Sequence, residues 1–194
     1  MATLQEMFDV RGKSVIVTGG ASGIGRAYAE VMADNGARVC IFDINADTLD
    51  TVVAEIRANG GDAWGQIVDV SDRRRMQEAF DAVAERHGRI DVVFANAGID
   101  PGPGFLSTDG SRIPEGAIDA LDDAQWDRGI EVNLTSVYTT VKNSARHMKT
   151  TGGGRIIVTS SIAAQINEAI VGTSYMPAKA GVDHFVRQMA MELG

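Results

Sequence analysis

Thr18-Gly19-Gly20-Ala21-Ser22-Gly23-Ile24-Gly25 follows a short apolar run, residues 14–18, and precedes a stretch that reads as a helix ending near Asn35-Gly36. Its glycines at 19, 23 and 25 are spaced G-x-x-x-G-x-G. Glycines at this spacing permit a tight turn and let the backbone approach a pyrophosphate, while Ser22, Ile24 and the helix behind them offer unpaired N–H groups and a positive dipole end. A P-loop is excluded, because no Gly-Lys-Ser/Thr follows. Taken alone, the turn is equally well a plain strand-to-helix junction. Asp43 separates the two readings. It closes the next apolar run, 18 residues after Gly25, where a carboxylate can accept hydrogen bonds from both ribose hydroxyls of an adenosine. A 2′-phosphate there would meet like charge, so NAD is favoured over NADP, for which Arg26 and Arg38 are the nearby cations. The alternative role for Asp43 is a turn or helix cap.

Working outward, short β-rich runs alternate with longer amphipathic stretches, the pattern of βαβ units in a parallel sheet. Strands are expected at 14–18, 38–43, 63–68, 90–95 and 155–160, with helices at 46–59, from the Ser71-Asp72 cap to about His87-Gly88, 122–148 and 174–193. Right-handed crossovers place such a chain in a doubly wound sheet whose ligand crevice lies beyond the carboxyl ends of the strands. Asp69-Val70 and Asn96-Ala97-Gly98 close the third and fourth strands at that edge. Asp69 has two roles open to it, accepting from an adenine amino group or from backbone N–H groups near Ser71. Asn96 and Gly98 are expected to brace the strand end. Residues 99–121, with prolines at 101, 103 and 114, are long for a connection inside a domain and are expected to shape or cover a pocket. A doubly wound sheet would gain another strand after Leu193, so the C-terminal strand-helix-strand portion of the fold is expected to be missing.

A chain of 194 residues, 44% hydrophobic and 23% charged, suits one domain spanning 1–194. A net charge of −8 argues against nucleic acid as a partner. No apolar run approaches the length of a membrane span, and the N-terminal Met1-Ala2-Thr3-Leu4-Gln5-Glu6 lacks the basic-then-apolar order of a signal peptide. A single cysteine, Cys40, rules out an intrachain disulfide and suits a reducing cytoplasm. Three scattered histidines and no H-E-x-x-H lead us to expect no catalytic metal.

Tyr175 and Lys179 stand four apart in Ser174-Tyr175-Met176-Pro177-Ala178-Lys179. On a helix they share a face, so the ammonium can favour phenolate. An ordinary Tyr, with a pKa of about 10, is roughly 0.1% ionised at neutral pH, and lowering it by ~2 to 3 units takes ~3 to 4 kcal/mol. One buried cation can supply much of that. The spacing alone is weak, because it recurs by chance in many helices.

The ordered set T-G-x-x-x-G-I-G at 18–25, Asp43, D-V at 69–70, N-A-G at 96–98, N-L at 133–134, S-S at 160–161 and Y-x-x-x-K at 175–179 resembles the short-chain dehydrogenase/reductase family. The resemblance implies a Rossmann-like, three-layer α/β/α fold and an NAD-dependent oxidoreductase that interconverts a secondary alcohol and a ketone. It implies Tyr175 as general acid or base and Lys179 as the group that lowers its pKa and holds the nicotinamide ribose. Ser161 would bind the substrate oxygen, and Asn133, mid-helix, would help to retain a water leading to Lys179. The interval from Ser161 to Tyr175 is about one residue longer than is common in the family. The resemblance also implies a homo-dimer or homo-tetramer paired through the helices at 122–148 and 174–193. An NADPH-dependent ketone or oxoacyl reductase and a non-catalytic NAD sensor are the competing readings.

Overall fold

The computed structural model describes residues 8–194. The hexapeptide read for a signal segment lies outside them. In chain order the elements are β1 (Ser14–Thr18), α1 (Gly23–Asp34), β2 (Arg38–Asp43), α2 (Ala46–Ala58), β3 (Asp62–Ile67), α3 (Arg73–His87), β4 (Val92–Ala95), α4 (Asp123–Ile130), a π turn (Glu131–Thr135), α5 (Ser136–Met148), β5 (Arg155–Val158) and α6 (Tyr175–Leu193). Short 3-10 turns lie at Pro114–Gly116 and Ile162–Ala164. The described residues group into two compact units, 8–97 with 140–157, and 98–139 with 158–194.

The first unit carries the parallel sheet, ordered β3-β2-β1-β4-β5, the doubly wound Rossmann-like α/β arrangement. β1 is buried at all five positions, as expected of a strand covered on both faces. Its Val15 and Val17 pack with Ala29 and Ala33 of α1, Val39 and Ile41 of β2, and Leu49, Val52 and Ile56 of α2. The caps are local. Asn45 accepts from Thr48 N at 3.1 Å, and Asp72, rather than Ser71, accepts from Arg75 N at 2.9 Å. The basic run Arg73-Arg74-Arg75 opens α3, where Arg74 and Arg75 both pair with Glu78. Cys40 is buried in β2, and burial pushes its thiol well above the ordinary range. Among the described residues no helix is long and apolar enough to cross a membrane.

In the second unit two expectations change. The helix expected at 122–148 is interrupted by the π turn, which winds in one extra residue and buries Val132 and Asn133. The connection at 99–121 has structure of its own. Leu106 bridges Arg112 and Pro103 bridges Val171, with Leu106 N donating to Ala169 O at 3.1 Å and Ile113 N to Phe105 O at 3.1 Å. It is a small hairpin laid along 169–171. A Cβ on Gly104 would overlap the Ala169 carbonyl, so only glycine lets the two backbones approach this closely.

β5 ends at Val158 instead of residue 160. The groups beyond it, the carbonyl of Thr159 and the hydroxyl of Ser160, bond to side chains of α6.

Candidate nucleotide cradle and proton-handling site

In the first unit the residues of the glycine turn come together with those closing the strands. Gly19 and Gly23 adopt φ of +63° and +53°, where other residues are strained. A Cβ on Gly19 would lie 2.9 Å from Ala97 Cα, and one on Gly25 would overlap the carbonyl of Gly19 and the amide of Asn96. Asn96 holds this closure. Its Nδ2 donates to Thr18 O at 3.2 Å and Gly19 O at 3.3 Å. Thr18 Oγ1 accepts from Asn96 N at 3.0 Å and Ala97 N at 3.1 Å. The bracing role expected of Asn96 is therefore what its amide performs. Ser22 precedes α1 without a capping bond from its side chain, so the first-turn N–H groups are left for a ligand. Ile24 is 60% exposed beside them. An uncapped helix start at a turn closed by glycines fits a pyrophosphate.

Asp43 faces the same turn. Its Oδ2 accepts from Ala21 N at 2.9 Å and its Oδ1 from Asn45 N at 3.0 Å, so the capping role is realised. Each carboxylate oxygen can still accept another hydrogen bond. The two nearby cations are committed elsewhere. Arg26 pairs with Glu30 and Glu55 at 2.7 and 2.6 Å. Arg38 stands at the opposite end of β2 from Asp43 and donates to Gly12 O and His87 O. Of the two roles open to Asp69, pairing with Ser71 is realised: its Oδ1 accepts from Ser71 N at 2.9 Å and Ser71 Oγ at 2.7 Å. Val70 beside it is buried.

In the second unit Gly98 leads to Ile99, whose N–H and C=O are both taken by Asn133. Oδ1 accepts from Ile99 N and Nδ2 donates to Ile99 O, each at 3.0 Å. The amide is fully buried and engaged at both ends, which leaves one lone pair and one N–H for a water. Tyr175 and Lys179 open α6, with Pro177 in the first turn, where a missing N–H costs the helix nothing. Lys179 is 3% exposed, with Nζ 5.7 Å from the Tyr175 ring centroid and donating to Thr159 O at 2.9 Å. Burial lowers the ammonium's pKa, and the Asp183 carboxylate opposes that shift.

The adjacent serines do different work. Ser160 Oγ donates to Asp183 Oδ1 at 2.5 Å. Ser161 Oγ accepts from Ala163 N at 3.1 Å, capping the 3-10 turn, so its own O–H remains a donor for another group. The arrangement can hold a negatively charged oxygen near a buried cation with a hydroxyl donor on the preceding segment. Among the described residues no group of three or more His, Cys, Asp or Glu is placed to hold a metal ion. Thr159 and Asp183 did not figure among the expected site residues, and Ser160 figured only as the neighbour of Ser161 in the S-S pair. The available signal was spacing, since Asp183 lies four after Lys179 and eight after Tyr175, on one helical face.

Residues 13–194 match the profile of the family described as short chain dehydrogenase. The chain belongs to that family. Among short-chain dehydrogenases it is similar to cis-4-hydroxycyclohexanecarboxylate dehydrogenase of Sinomonas cyclohexanicum, with 38% identity over 91% of this chain and 65% of the relative. It is also 34% identical to the 7alpha-hydroxysteroid dehydrogenase of Escherichia coli strain K12, over 94% of this chain and 66% of that protein. A solved structure of a 7α-hydroxysteroid dehydrogenase complexed with NADH and 7-oxo glycochenodeoxycholic acid superposes with a TM-score of 0.84, 33% identity, and coverage of 100% of this chain and 70% of that one. The chain thus spans about two thirds of the length of these short-chain dehydrogenases.

Proposed function

We propose that the protein is an NAD(H)-dependent oxidoreductase that interconverts a secondary alcohol and a ketone. The observation that carries this reading is Lys179, an ammonium taken out of water at the start of α6, on the face it shares with Tyr175. A buried cation is costly to keep unless it has a role, and holding it 5.7 Å from the Tyr175 ring, with the Asp183 carboxylate favouring its charge, suits proton transfer at the tyrosine hydroxyl. In oxidation Tyr175 Oη removes the hydroxyl proton, and in reduction it returns one to the carbonyl oxygen. Ser161 donates to that oxygen and stabilises the charge that develops on it. The nicotinamide cofactor, when bound, supplies the hydride acceptor or donor. Gly19, Ser22, Gly23, Ile24 and Gly25 would hold its pyrophosphate and Asp43 its adenosine ribose, with Asp69, Val70, Asn96, Ala97 and Gly98 around them, while Lys179 would hold its second ribose.

Asp43 and the commitment of Arg26 and Arg38 to other partners support NAD over NADP. The hairpin along 169–171, with Phe105, Ile166 and Ile170 at least 40% exposed, supports a bulky apolar substrate such as a cyclic or steroid-like alcohol. The relatives named for a cyclohexane acid and a steroid fit that class. A buried thiol suits a reducing cytoplasm. Exposed Tyr138 and Val186, on α5 and α6, suit pairing of two or four copies, which light scattering would read directly. The test of function is NADH absorbance, compared with NADPH, across a panel of linear and cyclic secondary alcohols. Tyr175→Phe is expected to lower kcat by roughly 10²- to 10⁴-fold while NADH still binds. Equal turnover by parent and variant would sink the mechanism.

A further inference from the structure

Three consecutive residues beyond β5 are each fixed by a different partner. Thr159 offers its carbonyl to Lys179 Nζ at 2.9 Å, Ser160 gives its hydroxyl to Asp183 Oδ1 at 2.5 Å, and Ser161 accepts from Ala163 N at 3.1 Å. The first two partners lie one helical turn apart on α6. A carboxylate only accepts, so Asp183 fixes the direction of the Ser160 hydroxyl as well as its position. Side chains alternate along an extended segment, so anchoring Ser160 on one side holds Ser161 to the other.

We propose that Asp183 is a positioning residue, which clamps Ser160 so that the Ser161 hydroxyl and the Thr159 carbonyl keep their places beside Tyr175 and Lys179. This rests on the catalytic reading above. The clamp has two separable parts. The hydrogen bond to Ser160 sets geometry: with it gone, the segment keeps the Thr159–Lys179 bond to α6 but loses its hold at Ser160, and the Ser161 donor drifts. The charge acts on Lys179. Tyr175 shares its helix, the neighbouring segment meets it with the neutral carbonyl of Thr159, and Asp183 is the charged group that acts on it.

Two variants divide these parts. Asp183→Asn keeps an oxygen to accept from Ser160 but removes the charge. Ser160→Ala keeps the charge but removes the bond. With NADH and the alcohol found active in the panel, Ser160→Ala is expected to lower kcat by roughly 10- to 100-fold with KM within about twofold, the cost of a misplaced donor. Its pH profile should match the parent's. Asp183→Asn is expected to move the alkaline limb of kcat to lower pH. The sign follows from the charge: the carboxylate favours the protonated ammonium, so without it Lys179 loses its proton earlier as pH rises. NADH affinity, read by fluorescence titration, should stay at the parent value in both and serves as the check of folding. Two outcomes would overturn the proposal: an Asp183→Asn profile superimposable on the parent's, or a Ser160→Ala loss that appears in KM and thermal stability rather than in kcat. Tyr175→Phe in the same series separates the two layers. An active Tyr175→Phe removes the catalytic reading itself, whereas an inactive one beside unaltered Asp183 and Ser160 variants removes only the clamp.

Discussion

Between Thr18 and Gly25 the backbone folds back on itself because side chains are missing, whereas between Thr159 and Asp183 it is held because side chains reach across. In the glycine turn, Gly25 stands where any Cβ would strike the Gly19 carbonyl, and the side-chain amide of Asn96 fills the space those absences leave. In the proton-handling region the contacts are polar and distant in sequence: Lys179 to Thr159, Asp183 to Ser160, Asn133 to Ile99. A site made by exclusion tolerates no added volume. A site made by reaching should degrade by steps, one bond at a time.

The largest expected effect tests the first half of that contrast. Gly25→Ala sets a methyl against backbone, which cannot turn aside as a side chain can, at a cost of about 3 kcal/mol. NADH affinity should fall roughly 100-fold, and calorimetric titration would measure it. Unchanged affinity would mean that the turn relaxes freely and that exclusion is the wrong description.

Asn133→Ala is the matched cut in the second unit. It leaves the buried N–H and C=O of Ile99 without their partner, at about 2 kcal/mol, a smaller effect because water can enter and bond them. Hydrogen exchange at Ile99 should speed up accordingly, with kcat reduced rather than abolished. Continued protection of the Ile99 amide would show that the π turn stands without the clamp.

The same contrast explains which features were legible in the sequence. The glycine turn, Asp43, and the order of strands and helices up to residue 95 depend on local sterics and periodicity, and the structure agrees with them to within two residues at each end. The fold class was legible for that reason. The π turn was not, because Glu131–Thr135 holds no glycine or proline, and its buried amide answers to Ile99, 34 residues away. The hairpin at 99–121 was legible as a long, proline-marked segment, but its pairing with 169–171 needs a partner well over fifty residues on. Of the four residues expected to carry the chemistry, Tyr175 and Lys179 share a helical face, which their spacing predicts. The division of labour between Ser160 and Ser161 follows from Asp183, whose meaning emerges only once the chain is folded. Asp69 sits between these cases: Ser71 is two residues away, so both of its roles were visible and only the geometry chose.

Asp43→Ala should have the smallest effect and the most informative sign. The carboxylate has three tasks: it accepts from Ala21 N, it accepts from Asn45 N, and in the proposed complex it accepts from a ribose. Its bond to Asn45 N is exposed and its bond to Ala21 N, in the glycine turn, is only partly buried, so water can take over much of both and stability should change little. Losing the ribose bonds should weaken NADH binding by about 1.4 kcal/mol, or roughly tenfold. Removing the negative charge should at the same time strengthen NADPH binding, because a 2′-phosphate no longer meets a like charge. The gain should stay modest, since Arg26 is held by Glu30 and Glu55, and Arg38 lies at the far end of the strand, so neither stands ready to replace repulsion with attraction. Titration of parent and variant with both cofactors would read the change as a ratio. A ratio that does not move would take the cofactor preference away from Asp43, and with it the one part of the cradle built by a side chain's reach toward the ligand.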